Sequence, residues 1–139
     1  MIETPDSFTP VKWILLTDVN ETNWEKFELD IGRFLKGLSR CTKCHIRAPS
    51  GLEKYGNTHA HIIIEIPTSE IARFKFRYMR FKPDTYWSHR KYNIHDWEPG
   101  SKTRSYAMKK HSLWFDCYCP RYYRSCRNGN CDIFTKKHI

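Results

Sequence analysis

A chain of 139 residues is of single-domain size, enough to bury one ordinary core. Apolar residues at 40%, with five Trp, eight Tyr and eight Phe, exclude a disordered chain, while a net charge of +9 and a pI near 9.3 suit either a polyanionic partner such as nucleic acid or a surface kept basic for solubility. No apolar run approaches the roughly 18 residues that span a bilayer. The polar start Met1-Ile2-Glu3-Thr4-Pro5 is unlike a signal peptide, so an intracellular location with six reduced cysteines is expected.

Residues 12–19 are rich in β-formers and stop at the turn-favouring Asn20, which predicts a first strand. Thr22 and Glu25 form a capping-box pattern ahead of Trp24, Phe27, Ile31, Phe34, Leu35 and Leu38, whose spacing predicts a helix of about four turns with an apolar stripe toward the core. A short strand is expected near Cys44–Ala48, broken by Pro49-Ser50-Gly51, with an extended run resuming at Leu52–Lys54 before a turn at Tyr55-Gly56-Asn57.

His59–Ile66 is the clearest strand. Ala60, Ile62, Ile64 and Ile66 share one face, and His59, His61, Ile63 and Glu65 share the other. Pro67 to Glu70 open a second helix carrying Ile71, Phe74, Tyr78 and Phe81, stopped by Pro83. Lys91–Trp97 reads as a further strand, and Gly100-Ser101 precedes a helical stretch with Tyr106, Lys109 and Lys110. Helices and strands alternating around hairpins, without a βαβ phosphate loop, favour an α+β fold with an antiparallel sheet.

The chemistry centres on His59-Ala60-His61, two imidazoles on one face of a strand, where both can reach a single divalent ion. Glu53 has the same parity and lies just across a five-residue turn, so a hairpin closed by residues 54–58 puts it opposite His59. Two nitrogens and a carboxylate leave coordination positions for water and a phosphate oxygen. That set suits Mg²⁺ or Mn²⁺, with Mn²⁺ the tighter because imidazole is a poor Mg²⁺ ligand. Tyr106 with Lys109 at i+3 and Lys110 at i+4 would place a phenol and ammonium groups on one side of a helix. A phenol becomes a useful nucleophile once the phosphate it attacks is polarised.

Each motif is short, and their order and spacing give them force. Trp13–Val19, then His59-Ala60-His61, then Tyr106-Ala107-Met108-Lys109 resemble the three motifs of the HUH replication initiators of small single-stranded DNA viruses and plasmids. The hairpin from Glu53-Lys54 to His59-Ala60-His61-Ile62 is similar to that of parvoviral initiators. The resemblance covers about residues 12–115. It implies a central five-stranded antiparallel sheet flanked by helices, with Glu53, His59 and His61 as metal ligands. It further implies a nick made by Tyr106 with help from Lys109, leaving a 5′-phosphotyrosine and a free 3′-hydroxyl. The implied partner is single-stranded DNA at a replication origin, presented on a stem-loop. A fused or separate helicase is a further implied partner, and a chain from a eukaryotic virus would act in the host nucleus. Ala60 is a small residue for the position between the histidines, and the loop from Glu53 to His59 is short.

Cations interleaved with aromatics over residues 73–92 suit a single-strand track. Phe74, Tyr78 and Phe81 read mainly as core, while Tyr86, Trp87, Arg90 and Lys91, with Lys110, are the expected DNA contacts. Cys41, Cys44, Cys117 and Cys119 could form a structural zinc site, although their spacing fits no standard finger, and buried free thiols are the competing reading. Two other functions fit the same residues: a small HUH transposase, and a non-catalytic single-strand binding module whose histidines are structural.

Overall fold

Strict alternation along the central strand sets the architecture. The computed structural model describes residues 7–18, 24–53, 58–100, 111–119 and 124–125. The elements in chain order are β1 (Phe8–Asp18), α1 (Trp24–Thr42), β2 (Ile46–Glu53) and β3 (Thr58–Pro67). A 3₁₀ turn (Thr68–Glu70) follows, then α2 (Ile71–Tyr78), α3 (Asp84–Trp87), β4 (Lys91–Asp96), β5 (His111–Cys119) and the two-residue β6 (Arg124–Ser125). The fold is α+β: an open antiparallel sheet in the order β4-β1-β3-β2-β5-β6, flanked by helices. Among the described residues no helix is long and apolar enough to cross a membrane.

Ala60, Ile62, Ile64 and Ile66 of β3 are fully buried, as are Leu16 of β1 and Ile46 and Ala48 of β2. Against them α1 lays Phe27, Ile31, Phe34, Leu35 and Leu38, the stripe that the spacing predicts. At about 1.5–3 kcal/mol for each large aliphatic or aromatic side chain buried, this layer is the main source of stability. The helix continues past its expected end to Thr42, and Lys43 then closes it in the left-handed region at φ 56°.

Several expected boundaries move. β1 starts at Phe8 rather than residue 12, and α2 stops at Tyr78, with Phe81 reaching the core from a turn. The expected break at Pro49 does not occur, because β2 runs through it. Proline lacks an N–H for the ladder, and the β2–β3 register, which pairs Arg47 with Glu65 and Ser50 with Ile62, skips Ala48 and Pro49. β5 and β6 were not expected as strands. The predicted helix after Ser101 lies outside the described residues.

The second helical segment is held by polar clasps and stacked rings. Glu70 accepts a hydrogen bond from the backbone N–H of His45 at 2.8 Å and pairs with His45 Nδ1 at 2.9 Å, tying the start of β2 to α2. Trp87 stacks flat on Phe34, with centroids 3.7 Å apart and planes 5° from parallel. Next to it Arg90, almost wholly buried, donates to Asp30 at 2.6 Å and lies over the Phe27 ring. Tyr86 crosses α1 where Gly37 has no side chain: a Cβ there would come within 2.1 Å of the phenol oxygen.

Two stability outcomes follow from these contacts. Arg90→Ala strands Asp30 in the interior, and losing one partner of a buried pair costs about 3–5 kcal/mol. With Arg33 at 3.7 Å and His89 at 4.0 Å partly replacing the lost charge, the lower end is expected in urea unfolding. Gly37→Ala forces the Tyr86 ring aside, at a cost of about 1–3 kcal/mol for an overpacked site. An unchanged urea midpoint would show that Tyr86 does not rest on this helix.

Candidate metal and nucleic-acid site

The face of β3 turned away from the helices carries the histidines. His59 and His61 are both half-buried, their rings edge to face with centroids 5.2 Å apart, and Nε2 of His61 is shielded from solvent. This spacing can be tested against a shared ion. Metal–nitrogen bonds of about 2.1 Å, with each ring centroid roughly 1.2 Å further out, put two imidazoles subtending 90–109° at centroid separations of about 4.6–5.3 Å. The observed value falls inside that range, so the pair fits one divalent ion.

The expected third ligand belongs to the neighbouring strand. Glu53 pairs with His59 in the β2–β3 register, as the expected hairpin requires, and Gly51 pairs with His61. Gly51 adds no side chain over the histidine rings. The Glu53 side chain lies outside those described, and among the described residues no group of three His, Cys, Asp or Glu side chains is arranged to hold a metal ion. Glu65 shares the face but is not a substitute. Its buried carboxylate is bound by Arg47 at 2.8 Å, and four residues along a strand separate it from His61 by about 13 Å.

Cross-sheet rows show what else the face offers. Lys91, Thr17, His59 and Glu53 form one row, and Asn93, Leu15, His61 and Gly51 the next. Lys91 and Asn93 are exposed, and at about 4.8 Å per strand Lys91 stands roughly 10 Å from His59. One row further, Trp13 stacks on the exposed His95 with centroids 4.4 Å apart. Asn93 and His95 were missed in the sequence. Their alternation with Tyr92 and Ile94 is visible there, but the pairing of β4 with β1 that brings them to this face is not.

Three of the expected DNA contacts lie away from the histidine face. Trp87 is 0% exposed and its faces are taken up by Phe34 and Tyr92, so no base can stack on it. Arg90 is committed to Asp30. Tyr86 is half-buried against Phe34 and Phe81. All three lie in the helical layer, across the sheet from the histidines, where burying an aromatic-rich segment outweighs exposing it. Lys91 alone of the described contacts shares the histidine face. Tyr106, Lys109 and Lys110 lie outside the described residues.

Of the expected zinc site only the first pair, Cys41 and Cys44, has described side chains. Cys44 is fully buried, and its thiol points at the carbonyls of Thr42 and Glu70, at 3.3 and 3.7 Å. Burial first, then the charge of Glu70, pushes its pKa up. Cys41 is half-buried, its sulfur 4.0 Å from the Arg77 carbonyl. The side chains of Cys117 and Cys119 lie outside those described.

At the rim of β4, the pKa of Tyr92 is pushed up to about 12 by loss of solvation and by its hydrogen bond to Asp84. Asp96, paired with Lys12 at 2.5 Å, is held below the usual carboxylate range by that hydrogen bond and charge.

No family model matches the chain, and neither a curated protein nor a solved structure matches it.

Calorimetry with Mn²⁺ tests the metal site directly. The His59→Ala/His61→Ala double variant should lose at least about 100-fold in affinity, more than the roughly 10–100-fold typical of a group one shell out. Glu53→Ala should also weaken binding. Full affinity in the double variant would place the ion elsewhere. For the cysteines, a raised thiol pKa contributes stability that is complete below the ordinary value of 9.0 and is lost as pH climbs through the raised value. At pH 8 an alkylating reagent should therefore modify Cys41 well before Cys44, with sites mapped by mass spectrometry. Equal rates would contradict the buried position of Cys44.

Proposed function

We propose that this chain is a metal-dependent nuclease domain of the HUH replication-initiator type. It would cut and rejoin single-stranded DNA, with Tyr106 as the nucleophile. The observation that carries the reading is the pair of imidazoles on the face of the central strand away from α1, at a separation that suits one ion, with Glu53 opposite His59 in register. A carboxylate-bearing residue paired in register with the first histidine is what a third ligand requires.

His59, His61 and Glu53 would hold Mn²⁺ or Mg²⁺. Such an ion supplies Lewis-acid polarisation of a non-bridging phosphate oxygen. The remaining chemistry belongs to the chain. The Tyr106 oxygen loses its proton to solvent or a base and forms a bond to phosphorus. The P–O3′ bond breaks, and the departing 3′-oxygen takes up a proton to become a free hydroxyl. The 5′-phosphate stays esterified to Tyr106, and attack by another 3′-hydroxyl reverses the step and rejoins a strand. Lys109 would steady the charge that gathers on the phosphate. Lys91 and Asn93 flank the histidine row and are suited to hold the incoming backbone. A replication origin displayed on a stem-loop is the substrate class that fits, since only unpaired DNA brings a single backbone flat against a sheet face.

The test is cleavage of a random single-stranded oligonucleotide pool, labelled at the 3′ end, in Mn²⁺. A protein band should keep the label through denaturation, and Tyr106→Phe should abolish both nick and adduct while leaving fold and DNA affinity intact. An adduct mapped to another tyrosine would reassign the nucleophile. Nicking that survives in Tyr106→Phe with no adduct would mean hydrolysis by water, and binding with no scission at all would leave a single-strand binding module.

A further inference from the structure

On the opposite side of the sheet from the histidines, a cleft of about 260 Å³ opens between the second half of α1 and the turn joining α2 to α3. Its floor is Gly37, Phe81 and Tyr86, and its rim carries Arg40, Arg80 and Lys82, all exposed. Among the described residues no acidic side chain lines it, and Arg80 and Lys82 make no ion pair.

The floor is rigid for a stated reason. Tyr86 stacks on Phe81 with centroids 5.9 Å apart and meets Phe34 edge-on, and it settles into the space that Gly37 leaves on α1. Half-buried, it keeps part of its ring open to the cleft. A volume just under the roughly 300–1,000 Å³ of small-molecule clefts suits one monomer of a polymer. An aromatic floor beneath two guanidinium groups and an ammonium matches a planar base joined to a phosphate, because arginine forks grip phosphate oxygens and aromatic faces stack on bases.

We propose that this cleft is a second nucleic-acid site, which seats one nucleotide of a single strand, its base against Tyr86 and its phosphate between Arg40, Arg80 and Lys82. It is separate from the histidine face and needs no metal. A strand held there would be anchored away from any cutting centre, so the cleft would contribute affinity without contributing to scission.

The experiment uses the full chain in EDTA with fluorescein-labelled dT12, followed by anisotropy over a range of salt. Arg80→Ala/Lys82→Ala should weaken binding about tenfold or more and flatten the log–log salt slope by about 1.4, since each phosphate contact on a single strand contributes roughly 0.7. Lys26→Ala/Lys75→Ala removes the same charge away from the cleft and should leave the slope nearly unchanged. Equal loss in both doubles would mean a diffuse charge effect and overturn the site. A dT12 carrying 5-iododeoxyuridine should photocrosslink to the peptide holding Tyr86, whereas crosslinks confined to the sheet face would also overturn it. If polyglutamate competes as well as unlabelled dT12, the cleft is an acidic-peptide site instead. The anisotropy is read in EDTA and the nicking in Mn²⁺, so a failed nicking assay and a failed cleft are distinguishable.

Discussion

The parity of β3 governs the rest of the molecule. Ala60, Ile62, Ile64 and Ile66 are all fully buried beneath the helices, so the intervening residues have no choice but the other face. A slip of one residue would carry three isoleucines out of the core and two imidazoles and a carboxylate into it. At about 1.5–3 kcal/mol for each aliphatic side chain, and with Ile63 moving in as three isoleucines move out, the net loss of two is about 3–6 kcal/mol, a large part of the roughly 5–15 kcal/mol that holds a small domain together. The position of His59 and His61 is therefore set by the hydrophobic effect acting on their neighbours. The metal chemistry proposed for them inherits a rigid frame: β3 is flanked by β1 and β2 along nearly its full length.

The same argument explains why Arg47 and Glu65 pair on the histidine face. Glu65 is 2% exposed, and a carboxylate so placed needs a partner; Arg47, opposite it in register, donates at 2.8 Å and lies over the Phe8 ring. That pairing fixes the end of the face remote from the hairpin and leaves the hairpin end, with Glu53 and His59, for ligand binding. In the helical layer Arg90 plays the corresponding part for Asp30. There the cation is consumed by a fixed internal charge and cannot also serve a phosphate.

These pairings mark the limit of what the sequence discloses. Patterns of period two and period three to four were legible because burial imposes them locally: the β3 faces, the α1 stripe and the strand at Lys91 all follow from spacing. The Glu53–His59 register was legible for the same reason, since a hairpin of given loop length has one natural pairing. Trp87 and Arg90 were not legible. Both sit in a basic, aromatic segment that reads equally well as a nucleic-acid track, and only the long-range partners Phe34 and Asp30, more than fifty residues earlier, decide that they are interior. Pro49 misled because a proline normally ends a strand, and the lapse in the ladder that accommodates it depends on a neighbouring strand. β5 was invisible for lack of alternation: its segment, His111 to Cys119, mixes polar and aromatic residues without a period.

Burying Trp87 and Arg90 also determines where basic charge remains available. Once the aromatic cluster around Phe34 takes Trp87 and the Asp30 carboxylate takes Arg90, other cations of the same stretch stay exposed. Lys91 lies on the histidine face, while Arg80 and Lys82 lie behind the sheet beside Tyr86. Part of the net charge of +9 rims a concave, aromatic-floored cleft with no acidic residue among the described residues of its lining. A basic surface kept only for solubility gains nothing from concavity or from an aromatic floor, and interspersed carboxylates would serve it better. That concentration favours recognition of a polyanion over solubility as the reason for the charge, and it does so independently of whether the histidine face cuts DNA.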